Sequence, residues 1–160
     1  MNKLYQRVDG ALHYHEAWAE GTKIIEHWGV AGERGETATH PLPKKVDVEA
    51  AIADVLKAAV ARGFVSVDEI GEVTLLIEYA VDGFGTPADV KKRHSLEDRM
   101  NETLGWTGLG NCDGGSIGSG TMEVCCFVAD FEMAKRIIEA DLAGTKFANF
   151  TRIYQEDAAP

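Results

Sequence analysis

Long apolar runs are missing from this chain of 160 residues. No stretch approaches the roughly 20 apolar residues that a membrane-crossing helix needs. The opening MNKLYQRVDG lacks the apolar core of a secretory leader. A cytoplasmic protein with no membrane partner is the expectation. Cysteine is scarce too: Cys112, Cys125 and Cys126 are the three. None forms a Cys-x-x-Cys, which leaves no thiolate metal site. Cys125 and Cys126 are neighbours in a strand-like run, so their side chains point to opposite faces and do not bond to each other. Reduced thiols fit an intracellular setting.

Positive charge is the next shortage. Lys and Arg number 16 against 26 Asp and Glu, a formal net charge of −10. The imbalance is uneven. Residues 1–68 carry eight basic and ten acidic side chains, whereas residues 69–160 carry eight and sixteen. A surface of that sign repels phosphate backbones and attracts cations, so the expected partner of the second half is a basic protein rather than nucleic acid. The length accommodates two small domains, read as residues 1–68 and 69–160.

The first half reads as antiparallel β structure from Lys3 to about Pro41. Asp9-Gly10 is a hairpin dipeptide, and Leu12, Tyr14, Glu16 and Trp18 alternate with His13, His15, Ala17 and Ala19 at the spacing of a two-faced sheet. Four strands are predicted, ended by Pro41 and Pro43. A helix follows, with Asp47 as N-cap, a stripe of Val48, Ile52, Val55, Leu56, Ala59 and Val60, and Gly63 at its end. His13 and His15 share a strand face at a chelating distance, but no third ligand is placed beside them, so no metal is expected.

Trp28-Gly29-Val30-Ala31-Gly32-Glu33-Arg34-Gly35, followed by a helix ending in Arg62-Gly63-Phe64, resembles the framework of WGR domains over residues 3–66. The resemblance implies an antiparallel sheet with a helix. It also implies a DNA-end contact in which Trp28 packs on the nucleic acid, and Arg34, Lys44 and Lys45 are the basic side chains available beside it. The arginine that names the family is replaced here by Val30, and residues 1–46 hold six basic and six acidic side chains. Trp28 therefore reads first as a fold-building aromatic and second as a nucleic-acid platform.

In the second half, VTLLIEYAV (residues 73–81) is a predicted strand. A helix is predicted from about Ser95, with an extra turn over Pro87 to Arg93 left open, stripe Leu96, Met100 and Leu104, ending at Gly105. MEVCCFVA is a buried strand, Asp130 caps a helix bearing Phe131, Ala134, Ile137, Ile138 and Leu142, and FANFTRIY supplies a last strand. With a short strand in WTGLGNC the order is βαββαβ, the ferredoxin-like split arrangement, and the whole chain is α+β.

Between the Ser95 helix and the MEVCCFVA strand runs GWTGLGNCDGGSIGSGT, residues 105–121, with seven of the 17 glycines. A phosphate loop needs strand, GxxxxGK[ST] and helix in that order. Here a helix precedes, a strand follows and no lysine is present, and the GxGxxG spacing also fails. The stretch is read as a hairpin with tight turns at Gly114-Gly115 and Gly118-Ser119-Gly120. The run Cys112–Thr121 resembles that of uncharacterised bacterial ferredoxin-like proteins that accompany toxin and immunity genes, over residues 73–155. That resemblance attaches no activity; together with the small size and the acidity of the second half it makes an immunity or antitoxin-type binding protein the expectation.

The reading that follows is a non-enzymatic protein that binds a protein partner, with Asp113, Ser116, Ser119 and Glu123 as contacts. Nucleic-acid binding through Trp28, Arg34, Lys44 and Lys45 is the first alternative. An enzyme acting at the glycine stretch through Cys112, Ser116, Ser119 or His94 is the second. Glu78 and Glu123, each inside a predicted strand, are the carboxylates singled out. No cofactor is expected.

Overall fold

The computed structural model describes residues 2–157. Two compact units divide between Gly71 and Glu72. Among the described residues no helix is long and apolar enough to cross a membrane.

The first unit is a sheet of five antiparallel strands with a helix. Its strands are β1 (Asn2–Val8), β2 (Ala11–Glu20), β3 (Lys23–Val30), β4 (Glu36–Pro41) and β5 (Val65–Ser66), in the order β4-β3-β2-β1-β5. Asp9 and Gly10 both have positive φ, 51° and 84°, as the two-residue hairpin turn between β1 and β2 requires. One strand more than the predicted four is present. The dipeptide Val65-Ser66 pairs with Tyr5 and Leu4, and a single turn of helix, α2 (Val67–Ile70), follows it.

Helix α1 (Val48–Ala61) begins where Asp47 accepts a hydrogen bond from Ala50 N–H at 3.1 Å. Its inward stripe Ala51, Ile52 and Leu56 packs with Ala17 and Ile24 on one sheet face. Burying each large aliphatic side chain there is worth about 1.5–3 kcal/mol. The opposite face also buries its side chains. Tyr5, Leu12, Tyr14, Glu16 and His27 are all buried there, so β2 reads as buried on both sides through Tyr14, His15, Glu16 and Ala17.

The Trp-Gly framework has a mechanical cause. The loop after β3 folds back so that Gly35, at φ 66°, lies against the Trp28 carbonyl and the Tyr14 hydroxyl. A Cβ at Gly35 would stand 2.1 Å from the Trp28 carbonyl oxygen and 2.4 Å from Tyr14 Oη. The fold-back delivers the Glu33 carbonyl to Tyr14, whose hydroxyl donates to it at 2.9 Å, and the Arg34 carbonyl to His27 Nε2.

The second unit is a four-stranded antiparallel sheet with helices, in βαββαβ order: β6 (Val73–Ala80), α3 (Pro87–Trp106), β7 (Gly110–Gly118), β8 (Thr121–Val128), α4 (Phe131–Leu142) and β9 (Arg152–Gln155). The strand order is β7-β8-β6-β9. Helix α3 starts two turns earlier than Ser95. Thr86 and Asp89 form a reciprocal capping box around Pro87, which supplies a preset φ at the first helical position. The predicted stripe Leu96, Met100 and Leu104 is the buried one, and α4 buries Ala134, Ile138 and Leu142. Arg99 fastens the two helices, with Nε donating to Asp141 Oδ2 at 2.7 Å.

The glycine stretch is mostly strand rather than turn. Gly114-Gly115 is not a hairpin turn but part of a β-bulge, where register shifts between Cys112 and Gly115 and leaves Asp113 and Gly114 opposite Cys125. A Cβ at Gly115 would stand 2.1 Å from the Glu123 carbonyl oxygen, so the backbone of β7 approaches β8 too closely for any other residue. The single hairpin turn is at Ser119 and Gly120, with φ of 54° and 87°.

Candidate functional site

Alternation along β8 decides which side chains of the second unit lie outside its core. Met122, Val124, Cys126 and Val128 are buried, whereas Glu123, Cys125 and Phe127 are half-buried on the other face. Register then assembles one row across the sheet: Ser116 on β7, Glu123 on β8, Glu78 on β6 and Arg152 on β9. Directly opposed like charges destabilise a ladder. The neighbours of Glu78 and Glu123 answer this. Arg152 Nη2 lies 3.0 Å from Glu78 Oε2, and Tyr154 donates its hydroxyl to Glu123 Oε1 at 2.7 Å. The Arg152 guanidinium sits 3.8 Å over the Tyr154 ring centroid, closing the cluster. The hydrogen bond to Glu123, together with burial, pushes the Tyr154 phenol up to about 12. Two carboxylates with one guanidinium leave this row acidic, with the exposed Ser116 hydroxyl at its end.

Of the four residues read from the sequence as partner contacts, the fold brings Ser116 and Glu123 together as direct cross-strand partners. Asp113 stands exposed on the bulge, and Ser119 forms the hairpin tip. Arg152 and Tyr154 complete the row and were missed. Their alternation within FTRIY marks a strand, but only the strand order shows that this strand borders β6.

A second constellation lies in the first unit, at the C-terminal end of α1. Trp28 stacks on His15 with ring centroids 5.7 Å apart and planes 23° from parallel, and Phe64 meets His15 edge-on at 5.7 Å. Together with His13 and Arg62 these rings line a groove of about 320 Å³. His15 is held from both sides. Its Nε2 lies 2.6 Å from Glu26 Oε1, and Arg62 Nη2 lies 3.4 Å from its Nδ1. His40 Nε2 takes the other Glu26 oxygen at 2.6 Å. Burial works against the charged form of Glu26, but the hydrogen bonds from His15 and His40 outweigh it and hold the carboxyl below its usual range. On the far face of the same sheet, Glu16 joins His27 Nδ1 at 2.7 Å and Lys3 Nζ at 3.3 Å. His13 and His15 therefore share a face, as alternation implies, but a carboxylate and an arginine engage His15.

The residues read as nucleic-acid contacts are not gathered. Trp28 pairs with Glu36 at the start of β4, whereas Lys44 and Lys45 follow the end of β4, where Pro41 pairs with Lys23. Five residues of strand at about 3.4 Å each separate the two places by roughly 17 Å. Arg34 lies in the folded-back loop next to Gly35. The residues of the enzymatic alternative are also engaged separately. His94 bonds to Glu97 at 3.2 Å, and the Cys112 thiol faces the Gly114 carbonyl at 3.8 Å. Among the described residues no group of three or more His, Cys, Asp or Glu side chains is placed to hold a metal ion.

Comparisons with protein-family models, with curated proteins and with solved structures find no match to this chain.

Proposed function

We propose that this chain is a binding protein that acts without chemistry of its own, and that the Ser116–Glu123–Glu78 row of its second unit docks a basic segment of another protein. The observation that carries this reading is the direct opposition of Glu78 and Glu123 on the sheet face away from the core. A cationic side chain from a partner would find there two carboxylates, already oriented by Arg152 and Tyr154, and beside them the Ser116 hydroxyl. The surrounding unit supplies the long-range field, since residues 72–160 carry fifteen acidic and eight basic side chains. Such a field speeds encounter with a basic partner and weakens with salt. An immunity or antitoxin-type role in a bacterial cytoplasm is the sharper form of the proposal. It rests on the resemblance carried by Cys112–Thr121 and on the unit's small size.

Co-purification from the native cell extract at low salt tests it. A basic protein recovered with the wild-type chain and lost with Ser116→Lys and with Glu123→Gln is the expected result. Recovery of no partner, or of one that both variants retain, overturns it.

The Trp28 groove favours a second reading, nucleic-acid binding by the first unit. Phe64 and Trp28 offer ring faces and Arg62 a cation, with its guanidinium 5.7 Å from the Phe64 centroid. A gel shift with nicked and blunt DNA at low salt decides it, because electrostatic binding is strongest there. A shift abolished by Trp28→Ala supports the reading, and no shift ends it.

A further inference from the structure

Two cysteines of the second unit, Cys112 and Cys126, lie on the opposite sheet face from the docking row. Cys112, on the edge strand β7, lies directly opposite Cys126 on β8, and both side chains face the core, 8% and 0% exposed. Opposed residues in an antiparallel ladder alternate between pairs that exchange backbone hydrogen bonds and pairs that do not. The second kind bring their Cα atoms to about 4.5 Å. Ala129 N–H donates to the Leu109 carbonyl at 2.9 Å, which makes Leu109 and Ala129 a bonded pair, and three steps of alternation further on Cys112 and Cys126 fall in a pair without backbone bonds. The Cys112 N–H accordingly donates elsewhere, to Asn101 Oδ1 at 2.9 Å. A Cα separation of about 4.5 Å lies within the roughly 4.4–6.8 Å that a disulfide spans. The third cysteine is out of reach, because Cys125 points through the opposite face.

We propose that Cys112 and Cys126 form a peroxide-oxidisable pair that closes to a cross-strand disulfide, with Cys112 as the attacking sulfur. Two features favour Cys112 for that part. It lies on the edge strand beside the bulge, where a molecule as small as hydrogen peroxide has the shorter path. The neighbouring Cys126 thiol also holds Cys112 below the ordinary thiol range, while the same neighbour contact and burial push Cys126 up.

The chemistry balances in two steps. The Cys112 sulfur, having lost its proton, attacks one peroxide oxygen. The O–O bond breaks, a sulfenic acid forms, and the departing hydroxide takes that proton to become water. Cys126 then attacks the sulfenic sulfur. The S–S bond forms, the S–OH bond breaks, and the hydroxide leaves as a second water with the Cys126 proton. Two electrons pass from the two thiols to one peroxide. The product pins the edge strand to its neighbour immediately before the bulge.

The test is thiol counting on the intact chain. Wild-type protein is treated with hydrogen peroxide, quenched, denatured and labelled with a maleimide. Labelled thiols are expected to fall from three to one, mapped to Cys125, and to return to three after dithiothreitol. Peptide mapping should give a Cys112–Cys126 link within one chain, and Cys125→Ser should retain it. In Cys126→Ser the link should vanish and Cys112 should stop at a sulfenic acid that dimedone traps. Three labelled thiols after peroxide, a link to Cys125, or a link only between chains would each overturn the proposal. The wild-type and Cys125→Ser measurements stand even where Cys126→Ser does not fold.

Discussion

Replacing Gly35 by alanine isolates the mechanical role of the Trp-Gly framework. At φ 66° an alanine is left-handed, which costs about 1–2 kcal/mol. Its Cβ would also stand 2.1 Å from a backbone oxygen and 2.4 Å from a buried hydroxyl. Overpacking of that kind costs about 1–3 kcal/mol where the neighbours yield. Here they yield poorly, because Tyr14 Oη is also held 3.0 Å from His27 Nε2. Reduced freedom of the unfolded chain returns about 0.4–1 kcal/mol. The net loss is about 2–4 kcal/mol. Gly21→Ala is the matched control, since Gly21 has φ 60° and nothing within 4 Å of a built Cβ. It carries the dihedral cost alone, about 1 kcal/mol net. Urea unfolding followed by tryptophan fluorescence reads the difference. Trp18 and Trp28 report on the first unit, and a Trp106→Phe background removes the reporter in the second. With a slope of about 1–2 kcal/mol per molar urea, Gly35→Ala should lower the midpoint by about 1–4 M. Equal midpoints for Gly35→Ala and Gly21→Ala would refute the argument that close approach fixes this glycine.

Two more predictions follow from named contacts. Because the folded pKa of Glu26 is depressed, its contribution to stability is present above the unfolded carboxylate pKa of about 4.3 and is lost as pH falls through the folded value. Glu26→Gln should therefore be less stable than wild type at pH 7, with the gap closing on acidification, as unfolding curves at several pH values will show; a constant gap contradicts it. Gly115→Ala should cost about 1–3 kcal/mol through its contact with the Glu123 carbonyl, whereas a value within about 0.5 kcal/mol, the usual range for surface changes, would mean that the bulge simply moves.

Local pattern and long-range register contributed unequally to what the sequence revealed. The stripes of α3 and α4 and the Asp9-Gly10 hairpin are local signals, and the structure follows them, whereas the α1 stripe holds at Ile52, Leu56 and Ala59 but leaves Val48 and Val60 exposed. Ser95-Leu96-Glu97-Asp98 imitates a capping box, yet Thr86-Pro87-Ala88-Asp89 is the one used, since a helix runs as far back as its cap and Pro87 allow. Glycine density argues against a strand, but pairing with the strongly apolar β8 overrides propensity across Gly110–Gly118. The two-residue β5 is too short for any periodicity to announce. Alternation on β2 does not announce that Glu16 is only 2% exposed. Lys3 and His27, from the two flanking strands, make that burial tolerable, and neither is adjacent in sequence. Ser116–Glu123 and Glu78–Arg152 were hidden for the same reason: each pair exists only through register.

The docking proposal is tested most directly by binding of the recovered basic partner to two lysine variants over a range of salt concentrations. Ser116→Lys places a positive charge at the end of the acidic row, whereas Asp98→Lys makes a larger charge change at an exposed position on α3. The proposal predicts that Ser116→Lys weakens binding at least about tenfold, or about 1.4 kcal/mol. Asp98→Lys should change it less than about twofold, and all affinities should fall as salt rises. Equal weakening by both variants, or weakening by neither, would contradict a site at Ser116, Glu123 and Glu78.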